Sequence, residues 1–260
     1  MSSLDDIEER LQSPKWNIRL KAVRELVKEE DKEKAAELLV KMMHDRRTLV
    51  REQAASILLV LVSDEKSDLS RSIKGLSFFV GRYFMETHAD RIMKRKAVSI
   101  LRAAARNGTD ISEMVDGLVE CLEDFDEGIT GDALRALGMA AANKKGQDRT
   151  ISRLIENCEN AEFDMIEENI IRALGIAAER GDRQTREKVV SAVIEIINSD
   201  WFREEAEDNS DIYLDMMEEL GILMKKIEKR ESEGKLSEGT VKPPKREPEA
   251  KKAPTRRIRS

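Results

Sequence analysis

Val50-Arg51-Glu52-Gln53-Ala54-Ala55-Ser56-Ile57-Leu58 decides the fold. An apolar residue, three positions of any kind, a small or apolar doublet, and Leu four beyond the start of the doublet all fall on one helix face. The same word occurs as Ile18, Ala22, Val23, Leu26 and as Met93, Ala97, Val98, Leu101. Two later copies add a glycine: Ile129, Ala133, Leu134, Leu137, Gly138, then Ile166, Ile170, Ile171, Leu174, Gly175. A weaker sixth reads Ile212, Met216, Met217, Leu220, Gly221. The doublets start at residues 22, 54, 97, 133, 170 and 216, so the repeats run 32 to 46 residues. That is the length of a helix pair with its turns.

Working outward, the segments between these helices also carry helical periodicity: Leu4 to Leu11, Glu33 to Met43, Leu69 to Met85, Ile111 to Leu122, Thr150 to Cys158 and Thr185 to Ile197. Asp, Ser or Thr stands at their starts, as Asp110 and Ser112 do before Met114, where a side-chain oxygen satisfies free backbone N–H groups. About six antiparallel pairs follow. No pair can bury its apolar face alone, so neighbours must stack into one continuous core. The expectation is all-α: a helical solenoid over residues 1–232, with a basic, Pro-rich tail over 233–260.

The words Ile18-Arg19…Ala22…Leu26 and Val50-Arg51…Ala54…Leu58, set behind Pro14 and Asp45, resemble the HEAT-repeat family and its armadillo-like relatives. From the fourth copy the arginine position becomes Thr130, Glu167 and Tyr213, a departure from the pattern. The resemblance implies a curved stack of antiparallel helix pairs serving as a scaffold or adaptor. It implies no particular activity, because a fold is not a function.

Composition agrees with helices. Of 260 residues 38% are charged and only 4% aromatic, and four of five prolines (Pro243, Pro244, Pro248, Pro254) lie in the tail. Helix-breaking residues are thus nearly confined to it. The net charge of −6 conceals a division. Residues 235–260 hold nine Lys or Arg against three Glu, a charge of +6, which leaves −12 for the rest. Cys121 and Cys158 each stand alone in helical patterns, so neither a disulfide framework nor a zinc site is expected. The N-terminal residues lack the basic and apolar regions of a signal peptide. The most apolar stretch, Ile57 to Val62, is far shorter than a membrane span. A cytoplasmic protein without a membrane span is expected.

Catalytic patterns are missing. HEAT-like metal hydroxylases hold iron with repeated His-Glu pairs, whereas His44 and His88 are the only histidines and neither precedes Glu. Relatives of the bilin lyases share the repeat but offer no local motif to match. No phosphate-cradling glycine loop is present. His44, beside Asp45 at a helix end, is expected to carry partial charge in the favourable dipole field. No enzyme, metal or cofactor is expected.

Three features bear on binding. Phe78, Phe79, Tyr83 and Phe84 cluster on one expected long helix, where they either fill the core or present Phe78 or Tyr83 as an anchor for a partner. Arg19, Arg51 and Lys94 share one repeat position, and Arg135 and Arg172 share another; stacking turns a shared position into a column. Each column either forms an ion-pair ladder with the next repeat or lines a groove for an acidic peptide or phosphates. The third feature is the tail, with Lys245, Arg246, Lys251, Lys252, Arg256, Arg257 and Arg259. Its composition predicts disorder. Its charge suits nucleic acid or ribonucleoprotein, or the chain's own acidic body. A protein-binding scaffold is the leading expectation, with nucleic-acid association through the tail as the alternative.

Overall fold

A computed structural model describes residues 4–64, 69–81, 87–159, 164–199, 218, 221–225, 227–229 and 232. The tail, Tyr83, Phe84 and most of the sixth repeat word lie outside these residues. The described residues hold eleven α-helices up to Asn198, further helical residues at 221–225 and 227–229, and no strand. The eleven are α1 (Leu4–Leu11), α2 (Trp16–Glu25), α3 (Lys32–Met42), α4 (Thr48–Val62), α5 (Ser77–Val80), α6 (His88–Arg106), α7 (Val115–Glu120), α8 (Glu127–Ala142), α9 (Gln147–Glu159), α10 (Asp164–Arg180) and α11 (Arg183–Asn198). Short 3-10 turns extend α2 and flank α7, and another leads into α5.

Four helix starts follow the side-chain chemistry, whereas α2, α4, α5 and α7 begin without a side-chain cap. Asp31 accepts from Lys34 N, Asp126 from Gly128 N and Ile129 N, and Asp182 from Thr185 N. Thr87 and Asp90 form a reciprocal capping box at α6, which satisfies two backbone donors at once. Backbone and side-chain hydrogen bonds from Thr185, with Lys144 beside it, hold the Asp182 carboxyl down at about 2.

The helices stack in two layers. Second helices pack in series, α2 on α4, α4 on α6, α6 on α8 and α8 on α10. First helices form the other layer, in which α5 packs on α7, α7 on α9 and α9 on α11. One core runs from Ile7 in α1 to Ile227, and it takes in every second-helix doublet from Ala22-Val23 through Ile170-Ile171, save half-buried Leu134. Five pairs are described, and α11 opens a sixth, with Leu223 and Ile227 buried beyond it.

One expected element is different. The long helix of Leu69 to Met85 is instead, over its described part, a 3-10 turn (Ser72–Leu76) followed by the single-turn α5. A side chain at Gly75 would lie 2.5 Å from Val40 Cγ1. The segment therefore lies close against α3, and Ser72 bonds Glu33 through both its backbone N–H and its hydroxyl. These contacts tie the segment to the previous repeat and leave no overhanging helix there.

The two identical Arg-Ala-Leu-Gly words meet different surroundings. A Cβ at Gly138 would stand 2.5 Å from Ile176 Cβ and 2.8 Å from Ala173 O, so glycine is what lets α10 approach α8. At Gly175 the nearest atom would be Leu223 Cδ1 at 3.9 Å, an ordinary contact. Gly138→Ala should therefore destabilise by about 1–3 kcal/mol through overpacking. Gly175→Ala should be neutral or stabilise by up to about 1 kcal/mol, as helix propensity alone dictates. Urea unfolding midpoints check this, and shifts of the same sign would contradict the packing described.

Candidate functional site

The shared-position columns separate when placed on the helices. Arg19, on α2, is 5% exposed; its Nε and Nη2 meet Asp45 Oδ2 and Oδ1 at 2.6 and 2.8 Å, and Nη1 donates to Ser13 O and Pro14 O. Lys94, on α6, is 4% exposed, with Nζ 2.9 Å from Asp124 Oδ2. Each acid lies in the turn before the second helix of the next repeat, and each also accepts a backbone N–H two residues on, from Arg47 and Asp126. These two positions form a buried ladder across repeats. Burial takes both cations out of a docking surface. Burial raises the Asp45 carboxyl, but the hydrogen bonds from Arg19 and Arg47 N, with the Arg19 and Arg46 charges, bring it below its usual value. Arg51 is half-buried; Nη2 reaches Thr48 Oγ1 at 3.3 Å, and Nε is buried with no hydrogen-bond partner among the described residues.

Arg135 and Arg172 are exposed instead. Arg172 pairs with Glu168 one turn earlier on α10. Arg135 donates to Gly131 O and stands 3.6 Å from Asp132 Oδ1. Asp132 is the busier group: Oδ1 also accepts from Arg102 at 2.8 Å, and Oδ2 accepts from Ser99 Oγ at 2.7 Å.

Arg135 opens onto a groove of about 610 Å³ that runs across four successive second helices. Leu59 of α4 and Ser63 just beyond its end, Arg102 and Arg106 of α6, Arg135 and Met139 of α8, and Arg180 of α10 line it. A smaller depression of about 250 Å³ shares Arg106, Met139 and Arg180. The helix ends around it are tied together, Asn107 Nδ2 to Val62 O at 2.6 Å and Asn143 Nδ2 to Thr109 O at 3.3 Å. Arg180 holds the position in its repeat that Asn107 and Asn143 hold in theirs, ten beyond the doublet start. Neither Arg106 nor Arg180 has an ion-pair partner among the described residues. Arg102, Arg106 and Arg180 escape a search by shared position, because the groove combines different positions from three repeats. Arg106 and Arg180 also read from sequence as ordinary last-turn cations.

Elsewhere, Phe78 is 57% exposed while Phe79 is buried, and the His44 ring packs 4.9 and 4.6 Å from them. That burial lowers the His44 pKa, so the imidazole is neutral at pH 7, contrary to the partial charge expected at this helix end. Cys121 is buried, its thiol directed at Val80 O and pushed up to about 12 by desolvation, which denies it thiolate chemistry near pH 7. Among the described residues no three His, Cys, Asp or Glu side chains group as metal ligands, and no helix is long and apolar enough to cross a membrane.

No protein-family model matches the chain, and no curated protein does. Solved structures do. A designed armadillo repeat protein, in complex with the peptide (KR)4, is 16% identical, with 85% of this chain and 100% of that one covered and a TM-score of 0.50. The chain has a HEAT/armadillo-like repeat fold. An engineered protein (18% identity; 87% and 98% coverage; TM-score 0.43) and Kap121p (12%; 82% and 22%; 0.44) are also similar. At these identities the likeness concerns the fold alone.

The ladder and the exposed column should respond differently to truncation. Asp45→Ala or Asp124→Ala strands a buried cation and should cost about 3–5 kcal/mol. Arg172→Ala, at an exposed pair, should stay within about 0.5 kcal/mol. Denaturant unfolding of the three variants separates these outcomes, and equal small losses would refute the ladder.

Proposed function

We propose that the protein is a non-enzymatic binding scaffold whose second-helix face docks a segment of a protein partner in the arginine-lined groove. The observation that carries this reading is the groove itself. It crosses four repeats, its helix ends are tied in register by Asn107 and Asn143, and a solenoid presents its extended surface to partners in just this way. The fold supports it, since armadillo and HEAT repeats are scaffolds in the first place. The peptide (KR)4 held by the designed armadillo protein gives no guide to charge here, because arginines line the present groove. Cys121 and Cys158, both buried and neither in a disulfide, suit the reducing cytoplasm.

A second reading rests on the tail, whose nine Lys or Arg against three Glu suit a nucleic-acid tether. It concerns a separate part of the chain, and both readings can hold together.

Photo-crosslinking from inside the cell tests the docking face. A photoreactive amino acid at Ala103, in the groove, should give discrete protein adducts. The same group at Glu156, on α9 in the first layer, should give few. Adducts from Glu156 but not Ala103 would move the docking face to the other layer, and adducts destroyed by nuclease would replace the protein partner with a nucleic acid.

A further inference from the structure

Resting on the docking reading above, we infer that the groove takes an acidic peptide segment, anchored by carboxylates on Arg106 and Arg180. Four guanidiniums line the groove and no described carboxylate does. Asp132, outside the lining, pairs with Arg102 and Arg135 and accepts from Ser99, and among the described residues it is the carboxylate partner of these arginines. Four cations against one anion leave a surplus of three positive charges. Asp64 and Glu179, the acids nearest in sequence to the lining, do not line the groove. The surplus is local, set in a chain of net charge −6.

A helix C-terminus favours a cation in its last turn. That explains Arg106 at the end of α6 and Arg180 at the end of α10, each taken singly. It does not explain why they converge with Arg102 and Arg135 on one depression, where like charges repel. In the preceding two repeats the position of Arg180 holds an asparagine that ties its helix end to a neighbouring carbonyl. Arginine at this position gives up that tie and offers a planar donor fork suited to a carboxylate.

The groove also fits a peptide better than a polynucleotide. Leu59 and Met139 form apolar patches between the guanidiniums, and no aromatic side chain lines it on which a base could stack. The acidic body repels a long polyanion while a short acidic segment meets mainly the local surplus. Four helices packed about 8–10 Å apart span roughly nine residues of extended chain. An acidic segment with interspersed apolar residues matches both the cations and the Leu59–Met139 floor. The tail, at +6, carries the wrong sign to occupy the groove.

The test uses the full chain and four fluorescent probes: a peptide alternating Glu and Leu, its Lys-Leu and Gln-Leu counterparts, and oligouridylate. Arg106→Gln and Arg180→Gln are compared with Arg91→Gln, an exposed arginine of α6 outside the groove. The Glu-Leu peptide should bind in a salt-sensitive manner. Each groove variant should weaken it roughly tenfold or more, the scale of one charged hydrogen bond, while Arg91→Gln leaves it within about twofold. If the Lys-Leu or Gln-Leu peptide binds more tightly and is weakened by the groove variants, the acidic ligand is wrong but the docking groove stands. Tighter, groove-dependent binding of oligouridylate overturns the peptide in favour of nucleic acid. Glu-Leu binding unaffected by Arg106→Gln and Arg180→Gln overturns the anchor. If no peptide binds and Ala103 gives no crosslinks, both the ligand and the docking reading fail.

Discussion

Close approach of neighbouring second helices is the constraint on which the rest of the molecule depends. No helix pair here has an apolar face it can close by itself, so each second helix must lie against the next. α8 meets this requirement on both sides. Ala133, Ala136 and Gly138 are fully buried or nearly so between α6 and α10, and a single methyl at Gly138 would collide with Ile176. Once the helices are this close, side chains from separate repeats share one surface. The groove exists because α4, α6, α8 and α10 are adjacent, and Arg102, Arg106, Arg135 and Arg180 are distant in sequence but neighbours across it.

Buried ion pairs add register to this packing. Arg19 with Asp45 and Lys94 with Asp124 each join one repeat to the next through side chains almost closed to solvent. Taking two charges out of water offsets much of their attraction, so such pairs contribute more to the cost of misalignment than to net stability. In the second repeat the cation Arg51 stays while the matching acid position is His88; Arg51 turns to Thr48, and its Nε is left without a hydrogen bond among the described residues. At the fourth repeat both partners are dropped together. In the fourth repeat the cation becomes Thr130, which bonds Asp124 O and Asp126 O within its own repeat, and the matching acid position before Ile166 is Ala161. Beyond that point Gly138 supplies close packing where the ladder stops.

Much of the fold was legible because the repeat obeys simple periodicity. The doublets and their leucines mark the buried faces of α2, α4, α6, α8 and α10, and Asp or Thr marks several helix starts. The segment around Gly75 was less legible: apolar residues continue through it, so periodicity suggested one helix, while tertiary contact with Val40 and Glu33 imposes a 3-10 turn. The site was legible only in part. Repeat alignment found Arg135 but grouped it with Arg172, which turns to Glu168. It also raised Arg19 and Lys94, whose charges are answered inside the stack. Arg106 and Arg180 occupy different repeat positions, and only the three-dimensional stagger of the helices brings them to one depression.

In the proposed docking mode this depression, rather than the first-helix layer, is the binding face. Arginine side-chain Nε–H resonances report on it directly, with each signal assigned by a single Arg→Lys substitution. On titration with the peptide alternating Glu and Leu, the signals of Arg106 and Arg180 should move, followed by those of Arg102 and Arg135, while buried Arg19 stays in place. Shifts confined to Arg149 and Arg153, on α9 of the other layer, would contradict the claim.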